Sequence, residues 1–339
     1  MMHSYYFSML LDGSAYTWDA TWPVDLNHYF VAHPGYMKLP SNQGQQYLTN
    51  LRDQALDRQF SNKTTEVMRL SPDVDYLQQF RSEADASAKI TILQTTRWHV
   101  DTWTTLSSSP SMNQLRGKYR LNELAQSEWF WIMHRLLLNP NDWLSSKLLP
   151  FERLMGGSVK YGESVSAMEA GNQVHVDVAR DWFRLGLRLV DSTALDDKQL
   201  DCLWHQVRHL CDVSDKKEYH VYLASTSASL LQRFKKRLPK KTQPSSPSFT
   251  LHTLPDTFPF VSWDTSSSTA VGKPLFGVSE DQLKATYARP LMDWLILSRM
   301  DYLVGMDQDP DIMTAAWAAQ VQTDLLAQHS CQFLPMTTW

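Results

Sequence analysis

The sequence predicts an α/β fold with two lobes, each containing a parallel sheet. Short apolar runs with β-branched or aromatic residues, such as residues 90–93 and 219–224, alternate with segments of helical periodicity. Residues 289–319 show this alternation most clearly, because they predict a helix, a buried strand and a second helix in succession. At 339 residues the chain also exceeds the length that one hydrophobic core usually supports. Two domains are therefore expected.

Composition and charge favour a globular protein. The chain is 43% hydrophobic and 20% charged, contains 13 Trp, and has a formal net charge of -4. This balance gives no bulk argument for binding nucleic acid or membranes. The basic run at residues 235–241 predicts a solvated helix end, with a phosphate or RNA contact as the alternative. The three cysteines show no metal-binding spacing.

Signals for membrane insertion are missing from the sequence. It contains no run of about 18 apolar residues and no basic leader followed by an apolar segment. We therefore expect a chain without a membrane span, either cytoplasmic or a lumenal domain of the secretory pathway from which an anchor has been removed. The single glycosylation sequon at Asn62-Lys63-Thr64 does not decide between these compartments.

The elements predicted in the first half vary in strength. A short helix at residues 5–11, a strand-like aromatic segment at 14–20 and a polar helix at 45–60 precede the strand at 90–93. Parallel α/β lobes usually begin with a strand, and none precedes the first helix, so the first lobe is expected to be truncated. The helix at 121–138 has the clearest periodicity and is expected to stop at Asn139-Pro140.

The elements predicted in the second half alternate more regularly. Residues 156–168 predict a short strand and a glycine-bearing loop, and residues 177–190 predict a helix. That helix would bury Val178, Trp182, Leu185 and Leu189. Residues 219–224 predict a strand, 228–238 a helix, and Ser225-Thr226-Ser227 the polar loop between them. Ser279 and Gln282 predict a capping box at the start of the next helix.

Residues 289–319 indicate where a ligand would bind. Pro290 is expected at a first helical position, residues 302–304 in a strand closed by Gly305, and Asp309-Pro310 at the N-cap and first position of the following helix. Ligands of open α/β sheets sit beyond the carboxyl ends of the strands, so the loop at 305–311 is expected to border the site. A proline-marked break near residues 139–150 divides the chain into lobes at 1–145 and 146–339.

Three segments carry a family resemblance. Residues 128–144 read EWFWIMHRLLLNPNDWL, residues 221–239 read VYLASTSASLLQRFKKRLP, and residues 293–305 read DWLILSRMDYLVG. In this order they resemble the GDP-fucose-dependent fucosyltransferases of the GT-B fold, the group with α1,6- and protein O-fucosyltransferases. The third segment is similar to the family pattern D-x-x-x-L-S-x-x-D-x-L-V-G. The resemblance implies two Rossmann-like lobes, the first on the acceptor side and the second on the nucleotide-donor side.

The resemblance also implies a catalytic motif, H-V-R-x-G/T-D, between the first two segments. Residues 158–163, SVKYGE, are the stretch that fits it. Lys160 then replaces the Arg that neutralises the departing diphosphate, Glu163 replaces the closing Asp, and Ser158 replaces the His. Lys keeps the charge but lacks the bidentate guanidinium fork, so weaker stabilisation of the leaving group is expected.

Further contacts with a nucleotide are implied in the same way. The expected nucleotide-binding residues are Ser158, Ser225, Thr226, Asp293 and Asp309. Thr226 stands where the family has an Asp, and Asp293 is retained and would contact guanine. Arg97 and Trp98 are expected to face the acceptor. The resemblance implies no metal ion and no cofactor other than the nucleotide-sugar donor, which is a substrate.

The loop after residues 302–304 departs from the family pattern, because it contains Asp307, Asp309 and Asp311. Carboxylates beside a diphosphate repel it unless a cation intervenes. The alternative is that Asp309 simply caps a helix. Either way, the loop predicts a weaker phosphate site than that of the family.

Three functions are compatible with this sequence. The first is a metal-independent, glycosyltransferase-like transferase that uses a nucleotide-activated donor, GDP-fucose by resemblance. The second is a catalytically degenerate relative that is kept as a binding or scaffold protein. The third is a repurposed fold that uses a donor other than a sugar, such as a charged RNA.

Overall fold

In the computed structural model the described residues are 26–31, 65–69, 90–94, 117, 123, 125–157, 159, 181–190, 195–237, 248–260, 279–307 and 309–336. The chain divides into two units, Met1–Asp19 with Ala32–Trp129 and Ala20–Val31 with Phe130–Trp339. The elements expected at residues 5–11, 14–20 and 45–60 lie outside the described residues. The lobes expected at 1–145 and 146–339 stay a prediction.

The strands described in the first unit form a parallel pair. β1 (Thr65–Arg69) lies beside β2 (Ile90–Gln94), in a register that pairs Val67 with Ile92. The strand expected at residues 90–93 is therefore confirmed. Parallel pairing requires a crossover connection, which is typical of the predicted α/β class.

The second unit is built on a six-stranded sheet with the order β5-β4-β3-β6-β7-β8. Its strands are β3 (Trp182–Leu189), β4 (Glu218–Ser225), β5 (Ser248–His252), β6 (Tyr302–Met306), β7 (Thr323–Leu326) and β8 (Phe333–Pro335). All neighbouring strands are parallel except β7 and β8. The chain runs outward from β3 to β5, then returns to β6 on the other side of β3. The strand order therefore reverses between β3 and β6, which is the switch point of the sheet.

Helices cover both faces of this sheet. They are α1 (Gln126–Leu137), α2 (Asp142–Leu148), α3 (Asp197–Ser214), α4 (Ala228–Lys235), α5 (Glu280–Leu297) and α6 (Pro310–Ala319). α3 and α4 bury Leu203 and Phe234 in one hydrophobic cluster, and α5 and α6 bury Leu295 and Ile312 in another. Within the described ranges, no helix is long and apolar enough to cross a membrane.

The central strand β3 occupies residues for which the sequence predicted a helix at 177–190, and that prediction is wrong. Leu185 and Leu189 fit helical spacing, but together with Leu187 they also fit the two-residue period of a strand. Arg184 and Arg188 are four residues apart, so together they resemble the polar face of a helix. Both arginines are in fact buried and paired with aspartates. The spacing of these residues therefore fits a helix as well as a strand, and periodicity alone does not separate the two.

α5 begins at the predicted capping box and continues through Pro290, where the sequence predicted that a second helix would start. Ser279 accepts the N–H of Gln282, and the Gln282 side chain accepts the N–H of Ser279, which confirms the capping box. Pro290 lies inside the helix and not at a first helical position, so that prediction is wrong. Proline removes one N–H from the helical ladder. The neighbouring Ala288 and Met292 are fully buried, and this packing supports the helix through the proline.

Three other predicted segments are confirmed. α1 ends at Leu137, before Asn139-Pro140. β4 and α4 flank the polar loop at residues 225–227, as expected. β6 is a buried strand between β3 and β7, although it continues through Gly305, the expected end, to Met306. Asp309 is the N-cap of α6 with Pro310 in its first turn.

Candidate functional site

The carboxyl ends of β3, β4 and β6 form one edge of the sheet at its switch point. β3 ends at Leu189 and β4 at Ser225, and the backbone N–H of Thr226 donates to the carbonyl of Leu189 over 3.0 Å. β6 ends at Met306, on the other side of β3. The polar loops after these strands therefore lie at the position where open α/β sheets bind ligands.

The loop after β4 uses its serines for local structure. The buried Ser225 hydroxyl donates to the carbonyl of Ser227 over 2.9 Å. The Ser227 hydroxyl accepts the N–H of Leu230 over 3.3 Å and caps α4. Thr226 is half-buried between them. The loop thus presents a capped helix N-terminus, with its local dipole, to the carboxyl edge.

Arg188 near the end of β3 is the charged centre of this edge, and no sequence motif predicted a role for it. Its Nε donates to Oδ2 of Asp309 over 2.7 Å, and its Nη2 donates to Oδ2 of Asp311. The side chains of Arg188 and Asp309 are 8% and 7% exposed, whereas that of Asp311 is 47% exposed. Arg188 therefore has a buried inner partner and a solvent-facing outer partner.

Burial and charge act in opposite directions on this group. Burial alone would lower the pKa of Arg188, but Asp309, Asp311 and Asp293 raise it, and the net shift is upward. Burial raises the pKa of Asp309 even though the guanidinium of Arg188 acts to lower it. The guanidinium remains charged, and its charge is shared by two carboxylates.

Asp309 is also the cap of α6. Its Oδ1 accepts the N–H of Asp311 over 3.1 Å while its Oδ2 accepts from Arg188. The sequence led us to expect carboxylates that would repel a diphosphate. The structure shows two of these carboxylates, Asp309 and Asp311, paired with one arginine 121 and 123 positions earlier, whose single positive charge offsets one of the two negative charges.

Asp293 lies in the interior, behind this edge. It is 1% exposed, and its Oδ1 accepts the hydroxyl hydrogen of Tyr222 over 2.5 Å. Burial raises the pKa of Asp293 to about 6, and burial and the Asp293 charge raise that of Tyr222 well above its ordinary value. A guanine base would have to displace the Tyr222 hydroxyl to reach the Asp293 carboxylate. The guanine contact implied by the resemblance stays a prediction.

The remaining residues predicted for the site lie outside the described part of the chain: Ser158, Lys160, Glu163, Arg97 and Trp98. Their roles stay predictions. Among the described residues, no group of three or more His, Cys, Asp or Glu side chains could hold a metal ion.

Comparison with known proteins bears on the fold. Neither protein-family models nor curated protein sequences match this chain. Among solved structures it is similar to a mutant of Arabidopsis thaliana FUT1 in complex with GDP, with a TM-score of 0.58 and 12% identity, over 96% of this chain and 66% of that one. The chain has a fucosyltransferase-like fold. The predicted α/β class is thereby confirmed, and the resemblance is confirmed at the level of the fold.

A second solved structure has a lower score. The NodZ α-1,6-fucosyltransferase co-crystallised with GDP has a TM-score of 0.34 and 12% identity, over 77% of this chain and 62% of that one. The present chain thus spans 66% and 62% of the lengths of these two fucosyltransferases. At 12% identity the likeness extends to the fold alone.

Proposed function

We propose that the chain is a glycosyltransferase-like transferase that binds a nucleotide-activated donor at the carboxyl edge of the six-stranded sheet. The position of Arg188 is the observation that carries this proposal, because it places a guanidinium at the switch point of a fucosyltransferase-like fold. The similar FUT1 structure contains GDP, so GDP-fucose is the first donor to test.

Arg188 can receive an anionic ligand on one side. Its inner partner Asp309 is buried, but its outer partner Asp311 is half-exposed and can turn into solvent. A phosphate oxygen would then replace the carboxylate in a charge-assisted hydrogen bond of the same kind. The N-terminus of α6 would contribute its dipole to the same anion.

The other residues predicted for the site complete the proposal. Lys160 would stabilise the leaving group and Glu163 would close its motif, while Ser158 and Thr226 would line the nucleotide pocket. Arg97 and Trp98 would face the acceptor. Replacing Lys160 by Met should lower turnover roughly 10²-fold if its ammonium stabilises developing charge. Unchanged turnover would remove Lys160 from this role.

Calorimetric titration with GDP tests donor binding. We compare the wild-type chain with Asp311→Asn, which leaves the outer position of Arg188 uncharged. Removing this half-exposed carboxylate should strengthen GDP binding by about 1 kcal/mol, roughly fivefold, and salt should reduce the gain. Asp256→Asn, on an exposed turn distant in sequence, is the control. UDP and ADP titrations report base preference. No GDP binding by either form would reject a sugar-nucleotide donor.

A binding or scaffold protein is the second candidate, and one observation favours it. The guanidinium of Arg188 already hydrogen-bonds to Asp309 and Asp311 within the protein, so its donors have partners that do not come from a ligand. Turnover separates the two candidates. Release of GDP from GDP-fucose would support the transferase, whereas GDP binding without release of product from any tested donor would support the scaffold.

A further inference from the structure

Two hydrogen-bonded histidines join β5 to the rest of the sheet. Nδ1 of His220 on β4 lies 2.9 Å from Nε2 of His252 on β5, and the two rings stack with centroids 5.2 Å apart. In the described sheet, β5 is an edge strand whose single neighbour is β4. The histidine contact therefore adds a side-chain bond to the five-residue backbone pairing of this strand.

The chemistry of this contact limits how many protons the pair can hold. A hydrogen bond between two imidazoles needs an N–H on one ring and a lone pair on the other. A neutral imidazole has one of each, and an imidazolium has no lone pair. If both rings are protonated, two N–H groups face each other across 2.9 Å and two positive charges stack. The pair is therefore stable only while at least one ring is neutral.

Charged and aromatic groups surround the two rings. Oε2 of Glu218 lies 3.5 Å from Nε2 of His220, and the edge of Trp182 packs against the His220 ring, with centroids 5.1 Å apart. Arg153 and Arg184 each lie over Trp182 at 5.5 Å. Arg153 also lies 3.7 Å from Oε2 of Glu218, and Arg184 pairs with Asp301. Burial, followed by the charge of His220, lowers the pKa of His252. The second proton is thus disfavoured on His252.

β5 leads directly into a segment that holds α5. The carbonyls of Phe258, Pro255 and Leu254 accept hydrogen bonds from the guanidinium of Arg289 at 2.6, 2.8 and 3.3 Å. Arg289 is 2% exposed, so these carbonyls replace the water that its charge would otherwise bind. A displaced β5 would withdraw them.

We propose that the His220–His252 pair makes the attachment of β5 acid-sensitive. When the second ring is protonated, the imidazoles repel each other, β5 separates from β4, and the segment at residues 253–258 releases Arg289. The switch is independent of any ligand at the carboxyl edge. It would let mild acid loosen one side of α5 while the central strands of the sheet stay paired.

Hydrogen exchange of the full chain tests this proposal. We compare protection factors for amides of β5 and of β3 at pH 7.5 and 5.5, corrected for the intrinsic pH dependence of exchange. In the wild type, protection of β5 should fall roughly tenfold per pH unit below 6.5, as expected when opening is coupled to one proton, while β3 changes less. His252→Gln, which cannot be charged, should abolish this dependence. His209→Gln, an exposed histidine of α3, should retain it.

Two outcomes would overturn the proposal. One is protection of β5 that does not change with pH in the wild type, and the other is an equal fall in β5 and β3. Should His252→Gln not fold, nitrogen-15 NMR of the wild-type imidazoles gives an independent answer. The proposal expects one of the two rings to stay neutral until β5 opens. Protonation of both rings with β5 still protected would refute it.

Discussion

At Asp309, one side chain both caps α6 and pairs with the buried guanidinium of Arg188. From the sequence, Asp309→Ser is expected to be benign, because Ser is also a strong N-cap. The structure changes this expectation. The substitution would leave Arg188, which is 6% exposed, with only the solvent-facing Asp311.

We therefore predict that Asp309→Ser lowers the free energy of unfolding by about 2–4 kcal/mol, because removing one partner of a buried ion pair leaves the other charge buried without its partner. Asp311→Asn, which removes the exposed partner, should cost less than about 1 kcal/mol. Urea denaturation of both variants measures the difference. Equal losses would mean that Arg188 does not depend on its inner partner.

Asp293 gives a prediction with a defined pH dependence. Its pKa of about 6 lies above the ordinary 3.8 because of burial, so the folded chain binds this proton more tightly than the unfolded chain. The stability that it contributes is fully present below pH 3.8 and is lost as the pH rises through about 6. Asp293→Asn keeps an acceptor for Tyr222 and removes the charge. The variant should be more stable than the wild type by about 1–3 kcal/mol at pH 7, and by less than about 1 kcal/mol at pH 4.

Urea denaturation at both pH values checks this prediction, with the exposed Asp256→Asn as control. A stability difference between Asp293→Asn and the wild type that is the same at pH 4 and pH 7 would contradict it. The comparison also bears on function, because a ligand that needs the Asp293 carboxylate would bind less well to the stabilised variant.

At the level of elements, the sequence predicted best where local signals agree. The caps Ser279 and Asp309 were predicted from side-chain type, and the cap Ser227 lies in the polar loop predicted before α4. α3 was missed although it has a capping box at Asp196 and buried residues at helical spacing from Leu200 onward. Its pattern was available in the sequence. The strand β3 was different, because its leucines and arginines fit the spacing of a helix as well as that of a strand.

Gly186 in the middle of β3 explains how this strand fits its neighbours. A Cβ at this position would lie 2.5 Å from Leu303, 2.7 Å from Leu297 and 2.9 Å from Met300. We predict that Gly186→Ala destabilises the chain by about 1–3 kcal/mol through overpacking at the switch point. Gly117→Ala, whose Cβ would meet nothing within 4 Å, is the control. Thermal or urea unfolding measures both. No loss in Gly186→Ala would show that these side chains move aside freely.

At the level of the whole molecule, the candidate site could not be assembled from one sequence. Arg188 and Asp309 are 121 positions apart, and only the strand order places them together. The sequence predicted the edge of the sheet and two of its loops, because parallel strands share a carboxyl edge. It did not predict the cation between them, because an arginine inside an apolar run carries no local sign of a distant partner.

The disulfide between Cys202 and Cys331 is a second long-range link. It joins α3 to the turn between β7 and β8 across 129 positions, and the Cα atoms lie 5.6 Å apart. Spacing alone gave no pairing for the three cysteines. Cys211 stays free and buried, and burial raises the pKa of its thiol to about 12. It should therefore react with thiol reagents only in the unfolded chain.

The link should act mainly by restricting the unfolded chain, since it closes a long loop. We predict that reduction lowers the free energy of unfolding by about 2–4 kcal/mol, and that Cys202→Ser and Cys331→Ser each reproduce this loss without adding to one another. Reductant should then have no further effect on either variant, which is the matched control. Thiol titration in denaturant provides the covalent check, with one thiol per oxidised chain and three after reduction. Three thiols before reduction would contradict the pairing. A wild type whose stability does not change with reductant would show that packing, and not the disulfide, holds the turn between β7 and β8.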